Sequence, residues 1–183
     1  HVNDMRQLST ENFEEETFDT AWILLGSMAH LITNQDVLDC FDSTSRALKS
    51  GGTFILELAH PRETFSMVDC TKNEWTVPLE DDGGNVQFGE LNIIWGDEND
   101  PFDPIRQVRD FTVAMELKEK GEGGVSETKQ KVKQVVPMRL FTAQEIDALA
   151  RLSGFQIVET FGALDENIDV NSDEEAYRLV CIL

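Results

Sequence analysis

FDTAWILL, Phe18–Leu25, followed after a helical segment by TFILELA, Thr53–Ala59, decides the fold of this chain. Ala21 to Leu25 is an unbroken apolar run bounded by polar residues, the pattern of a strand buried on both faces in a parallel sheet. In the segment between, Thr33 with Asp36 three residues on predicts a helix opened by a capping box, with Ile32 and Val37 stapling its entry. Val37, Leu38, Phe41 and Leu48 share one face. Arg46 and Lys49 lie near the carbonyl end, where the helix dipole favours cations, and Gly51 and Gly52 stop the helix. Strand, helix and strand joined by such short links make a right-handed βαβ unit with parallel strands.

Working outward, the pattern changes after Pro61. VQFGELNIIW, Val86–Trp95, and VRDFTVAMEL, Val108–Leu117, read as antiparallel strands; Phe111, Val113, Met115 and Leu117 alternate with more polar neighbours. Lys120–Gly124 is a turn signal, and Val125–Val136 returns as a lysine-bearing edge strand. The α/β pattern resumes at TAQE, Thr142–Glu145, a full capping box with Phe141 and Ile146 as its staple. Ile146, Leu149 and Leu152 mark the buried side, Gly154 ends the helix, and Phe155–Phe161 and Ala176–Leu183 are strands. The chain therefore divides into an α/β core over 1–60, an inserted β-rich segment over 61–137, and a final helix with a strand pair over 138–183.

Charge removes several classes of function. The 183 residues hold 35 acidic and 15 basic side chains, a net charge of −20. Such a surface repels phosphate backbones and anionic lipid heads, so neither nucleic acid nor a polybasic membrane anchor is expected. No run approaches the roughly 18 apolar residues of a membrane span. Cys40, Cys70 and Cys181 are odd in number and far apart, which is neither a disulfide framework nor a zinc ribbon. A reducing compartment is expected, the cytoplasm or an organelle interior. The acidic stretches Glu80–Asp82, Asp97–Asp103 and Asp165–Glu175 read as solvated loops without the spacing of a calcium loop.

NDMRQL near the start, FDTAWILLGSMAHL, LKSGGTFILELAHP and RLFTAQEIDALARLSGFQIVETFG, in that order, resemble the class I S-adenosylmethionine-dependent methyltransferases. The match is to the small-molecule branch with an inserted antiparallel lid. The resemblance implies a Rossmann-like α/β sheet of seven strands, with the last inserted antiparallel beside the fifth. Phe18–Leu25 then resembles strand four and Thr53–Ala59 strand five, with Phe155–Phe161 and Ala176–Leu183 as the terminal antiparallel pair. It implies S-adenosyl-L-methionine as cofactor and a small-molecule methyl acceptor as partner, with Asp4 and Met5 beside the adenine ring. The family's Gly-rich cofactor loop and the acidic residue of its second strand have no counterpart here. About 75 residues are expected upstream at roughly 30 per βαβ unit. A missing N-terminal segment or a complementing chain would supply them, and the opening on His1 rather than Met reads the same way. Expressed alone, residues 1–183 are expected to bind no cofactor and to be poorly soluble, because Ala21–Leu25 would present an apolar edge.

The candidate site residues each carry two readings. Asp4 either accepts from an adenine amino group or caps a turn. Leu25, Gly26 and Ser27 lie at the carboxyl end of a parallel strand, where open α/β sheets bind ligands; Gly26 lets a ligand approach the backbone, or simply makes a tight turn. His30 and His60 follow parallel strands on one rim. Either could orient or deprotonate an acceptor, or wall the pocket, and methyl transfer asks more of alignment than of acid–base work. Glu57, inside an apolar strand, needs a partner: it points either to the substrate pocket or to an arginine such as Arg139, which the resemblance places among basic positions common in this branch. Trp22, Trp75 and Trp95 either wall a cavity or fill a core. No metal site is expected, since the histidines lack a third ligand. Two functions compete on these observations: a methyltransferase, or a methyltransferase-like scaffold that has lost its chemistry.

Overall fold

Both expected helices form where their caps predict. Thr33 accepts from the Asp36 amide at 3.1 Å, and the Asp36 carboxylate takes the Thr33 amide at 3.2 Å, so α1 opens at Asn34 and runs to Ala47. Thr142 and Glu145 repeat the arrangement for α2, Ala143–Leu152. The computed structural model describes residues 3–8, 14–60, 62, 73–80, 87–120 and 126–183. Expectations on Pro61, Cys70, Asp81, Asp82, Val86 and the Gly121–Gly124 turn lie outside these residues.

The chain forms two compact units, His1–Ser66 with Ile105–Gln107 and Met138–Leu183, and Met67–Pro104 with Val108–Pro137. In the first, β1 (Phe18–Ile23) and β2 (Leu48–Ala59) pair in parallel. The last strand, β9 (Arg178–Ile182), lies antiparallel between β2 and β8 (Glu159–Phe161), for an order β1-β2-β9-β8. Val37, Cys40 and Phe41 of α1 and Ile146, Leu149 and Ala150 of α2 join Phe54, Leu56 and Leu58 of β2 in one buried core. Phe41 meets Phe54 edge-on at 5.5 Å between ring centroids, and Phe155 closes the group at 5.3 Å from Phe54.

Three expectations are corrected. Among the described residues β1 lies at the end of its sheet and one of its faces is open. Among the described residues both helices pack on the Phe54–Leu56 side, and Trp22, which pairs with Ile55 on the other side, is 69% exposed. Second, α1 ends at Ala47 rather than at the glycines, and β2 begins at once. Gly51 (φ 77°) and Gly52 instead make a bulge, where Phe18 faces Leu48 while Thr20 already faces Thr53. A Cβ on Gly52 would lie 2.9 Å from the Lys49 carbonyl, which fixes glycine there. Third, the strand expected from Phe155 starts only at Glu159, and that from Ala176 only at Arg178.

The second unit is an antiparallel sheet in the order β3-β4-β6-β5, with β7 also on β6. Its strands are β3 (Asn73–Glu80), β4 (Gln87–Trp95), β5 (Phe102–Asp103), β6 (Val108–Lys120) and β7 (Ser126–Arg139). Register puts Trp75, Ile93 and Met115 on one face and Glu74, Ile94 and Ala114 on the other. Asp97–Asp103 is not wholly solvated. Asp100 is buried, and its carboxylate accepts from the Thr112 amide at 2.7 Å, the Thr112 hydroxyl at 2.6 Å and the Asp97 amide at 2.9 Å. No helix of the described residues is long and apolar enough to cross a membrane.

Candidate functional site

At the carboxyl end of β1 the chain reverses in a tight turn. The Leu24 carbonyl accepts from the Ser27 amide at 3.2 Å and from the Ser27 hydroxyl at 2.8 Å. The two central residues are both left-handed, Leu25 at φ 56° and Gly26 at φ 67°, the pattern of a type I′ turn. A Cβ built on Gly26 meets nothing within 4 Å, so this backbone borders open space. A 3-10 turn, Ser27–His30, then leads to α1, pinned by fully buried Met28.

Glu57 stands behind this turn. It is 4% exposed, and its Oε2 accepts from the Leu25 amide at 2.8 Å. Its arginine is Arg178, whose Nε lies 3.1 Å from Oε1 without hydrogen-bond alignment, not Arg139. β9 is inserted beside β2 and brings Arg178 opposite Ala59, two residues from Glu57. Arg139 is buried elsewhere: Nη2 donates to Asn34 at 2.5 Å and to Glu145, and the guanidinium lies 4.8 Å over the Phe141 ring. It ties together the first turns of α1 and α2.

Asp4 is exposed and held by Arg6, whose amide and Nε donate to Oδ1 at 2.9 and 3.0 Å and whose Nη2 donates to Oδ2 at 2.7 Å. The Arg6 hydrogen bonds lower the Asp4 pKa to about 2. Arg6 also donates to Asp36 at 2.9 Å, and the Met5 carbonyl accepts from Ser43 at 3.2 Å, so this short segment is laid along α1. The pKa of Asp36 is lowered too, first by Thr33 and then by Arg6.

The two histidines part company. His30 is exposed at the end of the 3-10 turn. His60 is buried with both ring nitrogens engaged: Nε2 lies 2.8 Å from the Val170 carbonyl, and Nδ1 accepts from the Arg62 amide at 3.2 Å. With Nδ1 accepting, Nε2 is the ring nitrogen that faces the Val170 carbonyl as donor. Arg62 extends the tie, donating to Ser172 at 2.5 Å and to Asp173 at 2.9 Å. The acidic loop is therefore fastened to the end of β2, a role for Arg62 that sequence reading missed because its partners lie 110 and 111 residues away. Burial pushes the Cys40 and Cys181 thiols up to about 11 and about 12. A groove lined by Glu16, Lys49, Gly51, Gly52, Gly154 and Gln156 lies at the other end of β2, away from these candidates.

No protein-family profile matches the chain, and no curated protein matches it in sequence. Solved structures do. An S-adenosylmethionine-dependent methyltransferase from Clostridium acetobutylicum is similar with a TM-score of 0.66 at 14% identity, covering 100% of this chain and 62% of that one. A sugar N-methyltransferase from Streptoalloteichus gives 0.64 at 15% identity, covering 100% of this chain and 61% of that one. An amino pentose methyltransferase from Micromonospora echinaspora, solved with S-adenosylmethionine bound, gives 0.63 at 18%, covering 98% and 62%. The chain shares their fold and spans about three fifths of their length.

Proposed function

We propose that this chain, which has the fold of the class I S-adenosylmethionine-dependent methyltransferases, serves methyl transfer to a small-molecule acceptor within a complete enzyme. The observation that carries the reading is the open left-handed turn at the carboxyl end of β1, in a sheet whose last strand is inserted antiparallel beside β2. Ligands of open α/β sheets bind at that rim.

S-adenosylmethionine, when bound, supplies a methyl group on a sulfonium that is already an activated leaving group. The chain's own work is then binding and alignment. Gly26 fits this role because the space where its Cβ would stand is empty. Leu25 and Ser27 flank it, and the Asp4–Met5 turn, fastened to α1 through Arg6 and Ser43, supplies the adenine side. Of the two histidines, exposed His30 is the one we assign to the acceptor, whereas His60 is committed to Val170 and Arg62. Glu57 backs the turn from inside the sheet and Arg139 ties α1 to α2, so neither is assigned to the acceptor. The 61–137 insertion is assigned to recognition of the acceptor. An amine on a small molecule is the acceptor to test first. Two of the similar structures are methyltransferases of amino sugars, and a net charge of −20 attracts cations.

Calorimetric titration of the complete protein with S-adenosylmethionine and S-adenosylhomocysteine tests the reading, followed by assay of S-adenosylhomocysteine release with a panel of amino sugars. Micromolar binding and turnover are expected. No heat at millimolar ligand sinks the proposal; binding without turnover on any acceptor favours the scaffold.

A further inference from the structure

The turn at the carboxyl end of β1 holds a conformation that one of its residues resists. Glycine adopts φ 67° freely, but Leu25 at φ 56° puts an L side chain in the left-handed region. The Leu25 side chain is 82% exposed, so packing does not hold it there. What reaches it is the carboxylate of Glu57, from the neighbouring strand one step beyond the last paired residues, Ile23 and Leu56. A buried carboxylate is costly unless satisfied, and among the described residues Glu57 accepts a hydrogen bond from the Leu25 amide at 2.8 Å and pairs in charge with the Arg178 guanidinium at 3.1 Å. Arg178 is itself backed by the Tyr177 ring, 5.8 Å from its centroid.

We propose that Glu57 is a positioning residue, which anchors the Leu25 amide from inside the sheet and thereby fixes the left-handed turn that offers Gly26 and Ser27 to the ligand. This rests on the reading that the rim of β1 receives the cofactor. Without the anchor, Leu25 relaxes to negative φ, the Gly26 peptide swings, and the open backbone beside Gly26 is lost. Glu57 thus acts through another residue's backbone and touches no ligand.

The test reads amide exchange at Leu25 by NMR and affinity for S-adenosylhomocysteine by calorimetry, on the complete protein. Glu57→Ala is expected to speed exchange at Leu25 about tenfold, with α1 amides unchanged, and to weaken affinity about tenfold, the effect of losing one ordinary hydrogen bond. Adding Leu25→Gly should restore affinity to within about threefold, because glycine takes the turn conformation unaided. Glu57→Gln keeps an acceptor oxygen and should fall between; it carries the comparison if Glu57→Ala does not fold. Unchanged exchange at Leu25 in the Glu57 variants overturns the proposal, and so does faster exchange with unchanged affinity. If the wild type binds no cofactor while exchange at Leu25 still follows Glu57, the hold on the turn is supported and the methyltransferase reading fails.

Discussion

The two sheets of this protein are stabilised in opposite ways. The four-stranded sheet is backed by two capped helices, and the largest buried side chains of that core, Phe41, Phe54 and Met28, are sealed from water, although Trp22 on its open face is not. The five-stranded sheet has strands of up to 14 residues, yet much of its apolar face stays open, with Trp75 46% and Met115 45% exposed. Its buried ties are polar: Asp100 to Thr112, and Asn92 to Glu74 at 2.8 Å. One sheet stands on apolar burial, the other on its ladder and a few satisfied polar groups. The same kind of substitution should therefore cost very different amounts in the two.

The largest contrast lies between Phe41→Ala and Met115→Ala. Phe41 is fully buried between two rings, and its loss should cost about 3–5 kcal/mol. Met115, half exposed, should cost less than about 1 kcal/mol. Chemical denaturation of both variants measures this, and equal costs would break the comparison. Next comes Asp100→Ala. It strands the buried amide and hydroxyl of Thr112, at about 2–3 kcal/mol. Hydrogen exchange should quicken in β4 and β6 and stay unchanged in α1; a change confined to the other unit would count against it.

An alkaline effect belongs to the helix-backed sheet. Cys40 and Cys181 keep their protons in the fold well above the ordinary thiol pKa of 9.0. Above pH 9 the unfolded chain loses protons that the folded one keeps, so stability falls as pH rises toward 11. The slope approaches about 1.4 kcal/mol per unit for each thiol. A Cys40→Ala/Cys181→Ala variant should show a flatter alkaline slope; an unchanged slope would place the loss elsewhere. The smallest effect is acidic. Asp4 has its pKa lowered from 3.8 to about 2, so its contribution is present above 3.8 and is lost as pH falls through about 2. Because the pair is exposed, the signature is a titration rather than a melt. Arg6→Ala should return the Asp4 carboxyl toward 3.8 in an NMR pH series.

What the sequence by itself determined is whatever a few neighbouring residues can settle. Thr33 with Asp36 and Thr142 with Glu145 satisfy their own helix ends, so both helices were legible to the residue at their starts. Alternation made β4 and β6 legible. β3 carried the same signal in Trp75, Val77 and Leu79 and could have been read. The Leu25–Ser27 turn was legible as the end of a parallel strand, the position at which open α/β sheets bind ligands.

Only the tertiary structure decided the rest. An apolar run says that a strand wants cover, not that cover exists on both faces, and Trp22 remained exposed because the helices of the described residues lie on one side. Gly51 and Gly52 looked like a helix stop in sequence but serve a bulge, since Gly51 takes a left-handed φ and a side chain on Gly52 would strike the Lys49 and Asp19 carbonyls in the folded sheet. Glu57 plainly needed a partner, yet the choice of Arg178 over Arg139 followed from inserting β9 beside β2. Asp100 looked solvated until β6 folded Thr112 against it. Caps and turns close hydrogen bonds within three or four residues. Burial, charge pairing and histidine engagement depend on atoms brought together across 110 residues and more, and only the folded chain selects among them.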